Sequence, residues 1–326
     1  MTNASAALPP RVRFPGLDSV AFEHPGDRAA LETLRKTPGL DKLFRWLSDV
    51  GAERMLRLQF TADSLRVSPR QCRRLYNDLR EACAILDVRE PELYLTQNPY
   101  PQAFAFGMQR HTVVLTTSLV DLMTDAERLQ VIGRQLGHIK AEHMLYSTMA
   151  RVLADLLREA TQFLTVPGAA VSQGLLIALA AWFRKSELTA DRAGLLVVQD
   201  PECCISSLLK MVGGSHRMMD DLNPHEFARQ ADLYEDLDDD LVSLYYKFKL
   251  FKNQTTPFPA VRAREIEDWS RSAMYQRLLQ GDYPRRTASA GQRTCPECRL
   301  PVFNVTYQYC PDCGAPLPPV MPEFTV

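Results

Sequence analysis

The sequence predicts a mainly helical α+β fold with a small antiparallel sheet, followed by a separate module built around four cysteines. Three observations support this prediction. Apolar residues recur at helical spacing through most of the chain, three short β-branched or aromatic segments cluster between residues 92 and 116, and two Cys-x-x-Cys pairs stand near the end.

Composition is that of an ordinary globular protein. With 326 residues, the chain can bury a substantial core without covalent cross-links. Its 38 Lys and Arg residues nearly balance 39 Asp and Glu residues, so no overall field draws the protein to nucleic acid or to an anionic membrane. Neither polyanion is therefore an expected partner.

The start of the chain predicts a flexible segment and a cytoplasmic protein. Residues 1–20 are rich in proline and show no apolar period. They also lack the charged start and the apolar run of a secretory signal. In a reducing compartment, the scattered Cys72, Cys83, Cys203 and Cys204 are expected to remain buried thiols.

The segment from Ala160 to Phe183 has no charged residue and is long enough to cross a bilayer. Pro167, Gly168 and Gly174 interrupt it, and the more apolar part that begins at Leu175 is too short to span. We therefore expect a buried core helix without a membrane span, and a span is the alternative.

Helices are predicted before and after the sheet. Apolar spacing predicts helical structure from Pro25 to Leu86, and strands follow at Glu92 to Thr96, Ala103 to Phe106 and His111 to Thr116. Thr124 and Glu127 form a capping-box pattern, which predicts a helix from Asp125 to Met149. Later helices are predicted at Val152 to Thr165, Leu175 to Val198, Ile205 to Val212, Pro224 to Phe248 and Val261 to Leu279.

The end of the chain predicts a zinc ribbon, residues 295–326, joined by a polar linker at residues 280–294. Two thiolate pairs complete a tetrahedral Cys₄ site that holds one structural Zn²⁺, and Val302 to Gln308 suits a small hairpin. Only Arg293 and Arg299 lie close by, so protein contact is favoured over nucleic-acid binding. The four ligands are Cys295, Cys298, Cys310 and Cys313.

The predicted helix from Asp125 contains the sequence Gly-Arg-Gln-Leu-Gly-His-Ile, residues 133–139. Arg134, Gln135 and His138 occupy the spacing of an H-E-x-x-H motif, in which two His on one helical face bind zinc and the Glu acts on the bound water. Only the second His is present. By itself, a single helical His is more often a hydrogen-bonded core residue than a ligand.

The surroundings of this motif resemble the framework of HtpX-like zinc metallopeptidases of the CAAX-prenyl-protease type. The matching segments are Phe22 to Ala30, Val67 to Arg70, Ala103-Phe104 with Gly107, Val113 to Thr116 and Glu187 to Gly194, in order over about residues 20 to 275. The resemblance implies a gluzincin-like peptidase domain over residues 21–279.

The resemblance also assigns roles to individual positions. Glu187 matches the third zinc ligand of the family, and Asp191 matches the carboxylate that orients a ligand His. Arg134 stands at the first-ligand position and Gln135 at the general-base position. Thr256 replaces a His that the family usually places before Pro257, and Gln102 replaces an Asn that often precedes the Ala-Phe pair.

These replacements predict a peptidase homologue without catalytic zinc. His138 and Glu187 supply two ligands instead of three, Arg134 cannot lose its proton to become a ligand, and the Gln135 amide is not a base. Without metal, Glu187 and Asp191 would be adjacent buried carboxylates, so we hypothesise that the Arg134 guanidinium pairs with one or both.

The predicted function is therefore a catalytically inactive homologue that binds a protein or peptide partner. One alternative is an active zinc endopeptidase that recruits other ligands, such as His143 or His111. His143 lies five residues from His138 and should point away from it on a helix. A second alternative is a nucleic-acid-associated regulator that acts through the ribbon.

Overall fold

A computed structural model describes most of the predicted peptidase domain and fragments of the ribbon. The described residues are 11–40, 51–107, 110–149, 173–214, 218, 221–236, 258–286, 293–297, 299, 301–302 and 315–318. The predicted helix at Val152 to Thr165, the last part of the one predicted to reach Phe248, and Thr256 lie outside these residues.

The described part of the N-terminal half contains the helices α1 (Pro25–Arg35), α2 (Ala52–Asp63) and α3 (Arg73–Leu86). α1 begins with proline, and the His24 ring accepts a hydrogen bond from the Gly26 N–H, so the first turn is capped. α3 buries its apolar stripe, including Leu75, Leu79 and Cys83, in the main core, as the helical spacing predicts.

Four strands form one sheet in the order β1-β2-β4-β3: β1 (Leu65–Arg66), β2 (Glu92–Thr96), β3 (Ala103–Phe106) and β4 (Thr112–Thr116). β2 runs parallel to β4, whereas β1 and β3 pair antiparallel with their neighbours. The predicted strands are confirmed, but the sheet is mixed and not antiparallel. The alternation of residues along a strand does not show whether its neighbour runs parallel or antiparallel. Here β3 lies on the far side of β4, so β2 and β4 are neighbours that run parallel.

The C-terminal half is helical. Its described elements include α4 (Thr117–Leu122), α5 (Asp125–Lys140), α6 (Gln173–Val198), α7 (Pro201–Gly213), α8 (Pro224–Asp236), α9 (Pro259–Ser270) and α10 (Ala273–Leu279). The predicted capping box is present, since Thr124 and Glu127 each accept from the other's backbone N–H. The segment predicted as one helix from Val261 is α9 followed by α10, because Ser272 caps a new helix there.

α5 and α6 are the central pair of helices, and two glycines let them approach closely. A Cβ at Gly137 would overlap the Cβ of Ala193, and one at Gly133 would lie 2.7 Å from Cγ2 of Val197. Any larger residue would therefore push the helices apart. This close approach brings the side chains of Arg134 and His138 against the face of α6.

α5 ends at Lys140, before the predicted end at Met149. The His143 N–H donates to the His138 carbonyl and the Glu142 N–H to the Ile139 carbonyl, with Glu142 at φ 60. This is a Schellman motif, which usually places Gly at the left-handed residue. Because a glutamate and not a glycine stands at position 142, the sequence does not signal the end of the helix. Apolar spacing therefore predicted one long helix.

The domain is longer at both ends than the sequence predicted. Phe14 and Leu17 are fully buried, so the part of this segment around them is packed into the core and is not flexible. The predicted linker begins too early, because Asp18 N–H donates to the Pro284 carbonyl and Arg286 N–H to the Gly16 carbonyl. Residues 281–286 are thus bound to the N-terminal segment.

Part of the predicted ribbon is described. β5 (Arg293–Thr294) pairs antiparallel with β6 (Pro301–Val302), and Cys295 follows β5 directly. Cys295 is buried, with 1% of its surface exposed. Cys298, Cys310, Cys313 and most of the predicted hairpin at Val302 to Gln308 lie outside the described residues. The Cys₄ site therefore stays a prediction.

Within the described parts of the chain, no helix has the length and apolar character needed to cross a bilayer.

Candidate functional site

The two central helices bring five of the predicted site residues together. Arg134, Gln135 and His138 lie on α5, and Glu187 and Asp191 lie on α6. Each side chain is buried, with residue exposures of 9%, 3%, 5%, 7% and 2% in that order. The spacing of four residues in both helices places Arg134 with His138, and Glu187 with Asp191, on facing surfaces.

The Arg134 guanidinium lies between the two carboxylates of α6. Its Nη2 donates to Oε2 of Glu187 at 2.5 Å, and its Nε lies 2.7 Å from Oδ1 of Asp191. The Nε–H does not point at that second oxygen, so the contact with Asp191 is an ion pair without a hydrogen bond. The hypothesis that Arg134 pairs with these carboxylates agrees with this geometry.

A second arginine, which the sequence analysis missed, also binds this pair. Arg262 on α9 makes a two-point contact with Asp191, from Nε to Oδ2 at 2.8 Å and from Nη2 to Oδ1 at 2.7 Å. Its Nη2 also lies 3.8 Å from Oε2 of Glu187. Arg262 is 71 residues from Asp191, and a charged residue on a short amphipathic helix is ordinarily expected to face solvent.

His143 lies beside His138, contrary to the prediction that it points away. The Schellman motif ends α5 before His143, so His143 does not follow the helical spacing, and the Nδ1 atoms of the two rings are 3.1 Å apart. His111, the other alternative ligand, precedes β4, and within the described chain no ion pair or side-chain hydrogen bond links it to His138 or Glu187.

The two rings belong to a buried series of polar contacts that ends on carboxylates. His138 Nε2 is 3.3 Å from Oε1 of Glu187, and His143 Nε2 is 3.0 Å from Oδ2 of Asp27. The Thr189 hydroxyl donates to the same oxygen of Asp27 at 2.6 Å. Asp27, in the first turn of α1, was also missed, because an acidic residue there is ordinarily explained by the helix dipole.

The charges of these groups depend on one another. Burial by itself raises the pKa of Glu187, but the Arg134 charge, with the hydrogen bond and charge of His138, holds that pKa well below its usual range. Burial likewise raises the pKa of Asp27, but the hydrogen bond and charge of His143 outweigh the effect of burial. The pKa of Asp27 is therefore lowered. Burial lowers the pKa of His138, which favours its neutral form.

These residues do not fit a catalytic zinc ion. The Nε2 atom of His138 faces Glu187, while its Nδ1 atom faces His143. A metal ion bound to either nitrogen of His138 would therefore have only one of these two residues beside it as a second ligand. Across the described residues, no group of three His, Cys, Asp or Glu side chains converges as a metal site. A catalytic zinc needs three protein ligands, and the Arg134 cation beside Glu187 repels a second cation.

Of the remaining described positions, Gln102 lies outside this cluster and Gln135 lies beside Arg134 on α5. Gln102 is exposed before β3, where its backbone N–H donates to the Thr116 hydroxyl at 2.9 Å. Gln135 is buried one residue after Arg134, and its amide cannot accept a proton from water at neutral pH.

Comparison with known proteins identifies the family. The model of peptidase family M48 matches residues 69–270. The plastoglobule-localized metallopeptidase 48, chloroplastic, of Arabidopsis thaliana is 36% identical over 278 residues, which cover 84% of this chain and 79% of that protein. The chain belongs to peptidase family M48. The resemblance to HtpX-like peptidases is thereby confirmed.

Two other M48 relatives are more distant. Protease HtpX homolog 2 of Methanosarcina mazei is 26% identical over 184 residues, covering 50% of this chain and 63% of that protein. A protease HtpX homolog of Moorella thermoacetica is 27% identical over 192 residues, covering 52% and 62%. The matches to these two proteins therefore span less than two thirds of their length. No solved structure matches the chain.

Proposed function

We propose that this M48 protein is catalytically inactive and binds protein or peptide segments without cleaving them. The observation that carries the proposal is the position of the Arg134 guanidinium, 2.5 Å from the carboxylate of Glu187. A fixed, permanently charged side chain occupies the place that the family resemblance gives to a metal ligand.

The chemistry of hydrolysis supports the same conclusion. A peptidase of this type needs a base to take the proton of the attacking water, and that help is typically worth ~10²–10⁴-fold in rate. Gln135 stands at the base position and has no basic oxygen. The loss of the base and the loss of a ligand act together, so residual hydrolysis should be far below that of an intact site.

The edge of the sheet at β3 supports binding without cleavage. Among the described strands, β3 is the outermost on one side of the sheet, where it pairs with β4. The outer edge of β3 can hydrogen-bond an extended peptide as an added strand, with specificity set by side-chain pockets. A protein partner with an exposed, extended segment is therefore the proposed ligand class.

Metal analysis of the purified full chain tests the proposal. We expect one tightly bound Zn²⁺ per chain, which is lost when Cys295 and Cys298 are both replaced by Ser. We also expect no cleavage of an unfolded protein substrate, with or without a chelator. A second zinc together with chelator-sensitive cleavage by the wild-type chain would overturn the proposal.

A restored variant makes the test sharper. Arg134→His with Gln135→Glu supplies the missing ligand and the missing base on the same helical face. It should bind one more Zn²⁺ per chain than the wild type, whereas the matched variant Arg134→Gln with Gln135→Glu, which adds no ligand, should not. Thr256 and Gln102 are unchanged, so we expect metal binding to return more fully than cleavage.

The alternative function is an active zinc endopeptidase, and one contact favours it. His143 lies close enough to His138 to serve as a recruited ligand. Both rings would then bind metal through their Nδ1 atoms, with Glu187 and Asp27 on their far sides. Replacing His143 with Asn separates the two functions, because it removes a zinc ion only if this alternative holds.

A further inference from the structure

An open groove lies on the outer surface of the domain, lined by residues other than those of the Arg134 cluster. It has a volume of about 640 Å³ and lies between the turn after β1, one side of α3 and the segment that leads into β2. Its floor consists of buried apolar side chains, namely Val67, Leu79, Cys83 and Val88. We call it the α3 groove.

Cations outnumber anions in the wall of the α3 groove. Both carboxylates of the wall already have partners: Glu90 pairs with Arg80 at 3.3 Å, and Glu92 pairs with Arg66 at 3.4 Å. The charged lining residues are Arg66, Arg70, Arg80, Arg89, Glu90 and Glu92. Four positive charges against two negative charges leave a surplus of two.

The two positive charges that the glutamates of the wall do not pair are those of Arg70 and Arg89. Both side chains are exposed, and within the described chain neither makes an ion pair or a side-chain hydrogen bond. A guanidinium presents a planar fork of N–H donors that matches a carboxylate or a phosphate. These two arginines therefore offer unused anion-binding capacity at the rim of an apolar floor.

The backbone that carries Arg70 is held in place by a tight turn. Ser68 and Gln71 exchange two backbone hydrogen bonds, at 2.8 and 3.0 Å, and the Arg70 N–H donates to the Ser68 hydroxyl at 3.3 Å. The Gln71 side chain also donates to the Arg66 carbonyl at 2.9 Å. Because this wall is ordered before any ligand arrives, binding costs less conformational entropy.

We propose that the α3 groove binds a small amphipathic anion. Arg70 and Arg89 hold its carboxylate or phosphate group, and its apolar body lies along the floor beside Ala84 and between Pro69 and Pro91. The volume falls within the ~300–1,000 Å³ of small-molecule sites in proteins. The site is independent of the proposed peptide binding and requires no metal.

Calorimetric titration of the full chain with four probes tests this inference. Octyl phosphate and octanoate, kept below their micelle concentrations, carry both features and differ in the anionic group. Inorganic phosphate carries only the charge, and octanol carries only the apolar chain. We expect at least one of the two amphipathic anions to bind more tightly than both single-feature probes, and the stronger of the two identifies the anionic group.

Variants of the groove locate the binding. Arg70→Gln with Arg89→Gln should weaken binding by about tenfold or more, since hydrogen bonds to charged groups are the strong ones. Ala84→Phe should block the floor while keeping the charges. Arg229→Gln, which alters an exposed arginine on α8, is the matched control and should leave binding unchanged.

Two outcomes would overturn the inference. Failure of both amphipathic anions to bind more tightly than phosphate or octanol would show that the groove does not combine the two features. Equal affinity in the wild type and in the Arg70, Arg89 variant would place binding elsewhere. Circular dichroism of each variant establishes that a loss of binding does not come from unfolding.

Discussion

Replacement of Arg134 with Ala should strongly destabilise the domain. Arg134 and Glu187 have side-chain exposures of 11% and 9%, so little solvent screens their contact. Removing one partner of a buried ion pair typically costs ~3–5 kcal/mol, because the other charge is left buried. Arg262 and His138 still lie 3.8 and 3.3 Å from Glu187, so we expect the lower end of this range.

Denaturant unfolding of the purified chain measures this effect. Arg229→Ala is the control, since Arg229 makes an exposed pair with Glu226 at 2.8 Å and surface pairs contribute only ~0.2–1 kcal/mol. The double variant Arg134→Ala with Glu187→Ala removes both charges, so it should recover part of the loss from Arg134→Ala alone.

The result could contradict the reasoning in a specific way. If Arg134→Ala costs no more than Arg229→Ala, the Arg134 guanidinium does not neutralise the carboxylates of α6. In that case the zinc content and chelator sensitivity of Arg134→Ala should also be measured. If both equal those of the wild type, the variant has not taken up a metal ion in place of the Arg134 charge.

Three further predictions follow from the central helices. Gly137→Ala should destabilise the domain by ~1–3 kcal/mol, because the new methyl group overlaps Ala193, and thermal unfolding measures the loss. The free energy of unfolding should fall as the pH is lowered, first below about 6.5 and again below about 4.5. The pKa values of His138 and Glu187 in the folded chain lie below these ordinary values, so as the pH falls the unfolded chain binds protons before the folded chain does. A series of urea titrations at different pH values measures the effect, and the absence of such a fall would contradict the lowered pKa values. Burial lowers the pKa of Lys140 from 10.5 to about 7, so stability should also fall from pH 10.5 toward 7, and Lys140→Met should flatten that slope.

The sequence by itself determined the family and the mainly helical fold class. Periodicity located most of the described helices, and β-branched segments located β2, β3 and β4, because these signals depend only on neighbouring residues. They missed β1, which lies within the segment from Pro25 to Leu86 that was predicted to be helical. Arg134 and Gln135 could be assigned from the motif, since a helix fixes which side chains share a face. The Arg134 pairing was predictable too, because two buried carboxylates need a compensating cation.

Only the tertiary structure decided what surrounds these residues. Arg262 and Asp27 reach the site from α9 and α1, at distances along the chain that no local pattern spans. Residue Glu142 adopts a left-handed conformation without the usual glycine, and that single turn places His143 against His138. Strand direction and the buried N-terminal segment were likewise set by long-range packing, because alternation and composition report burial but not partners.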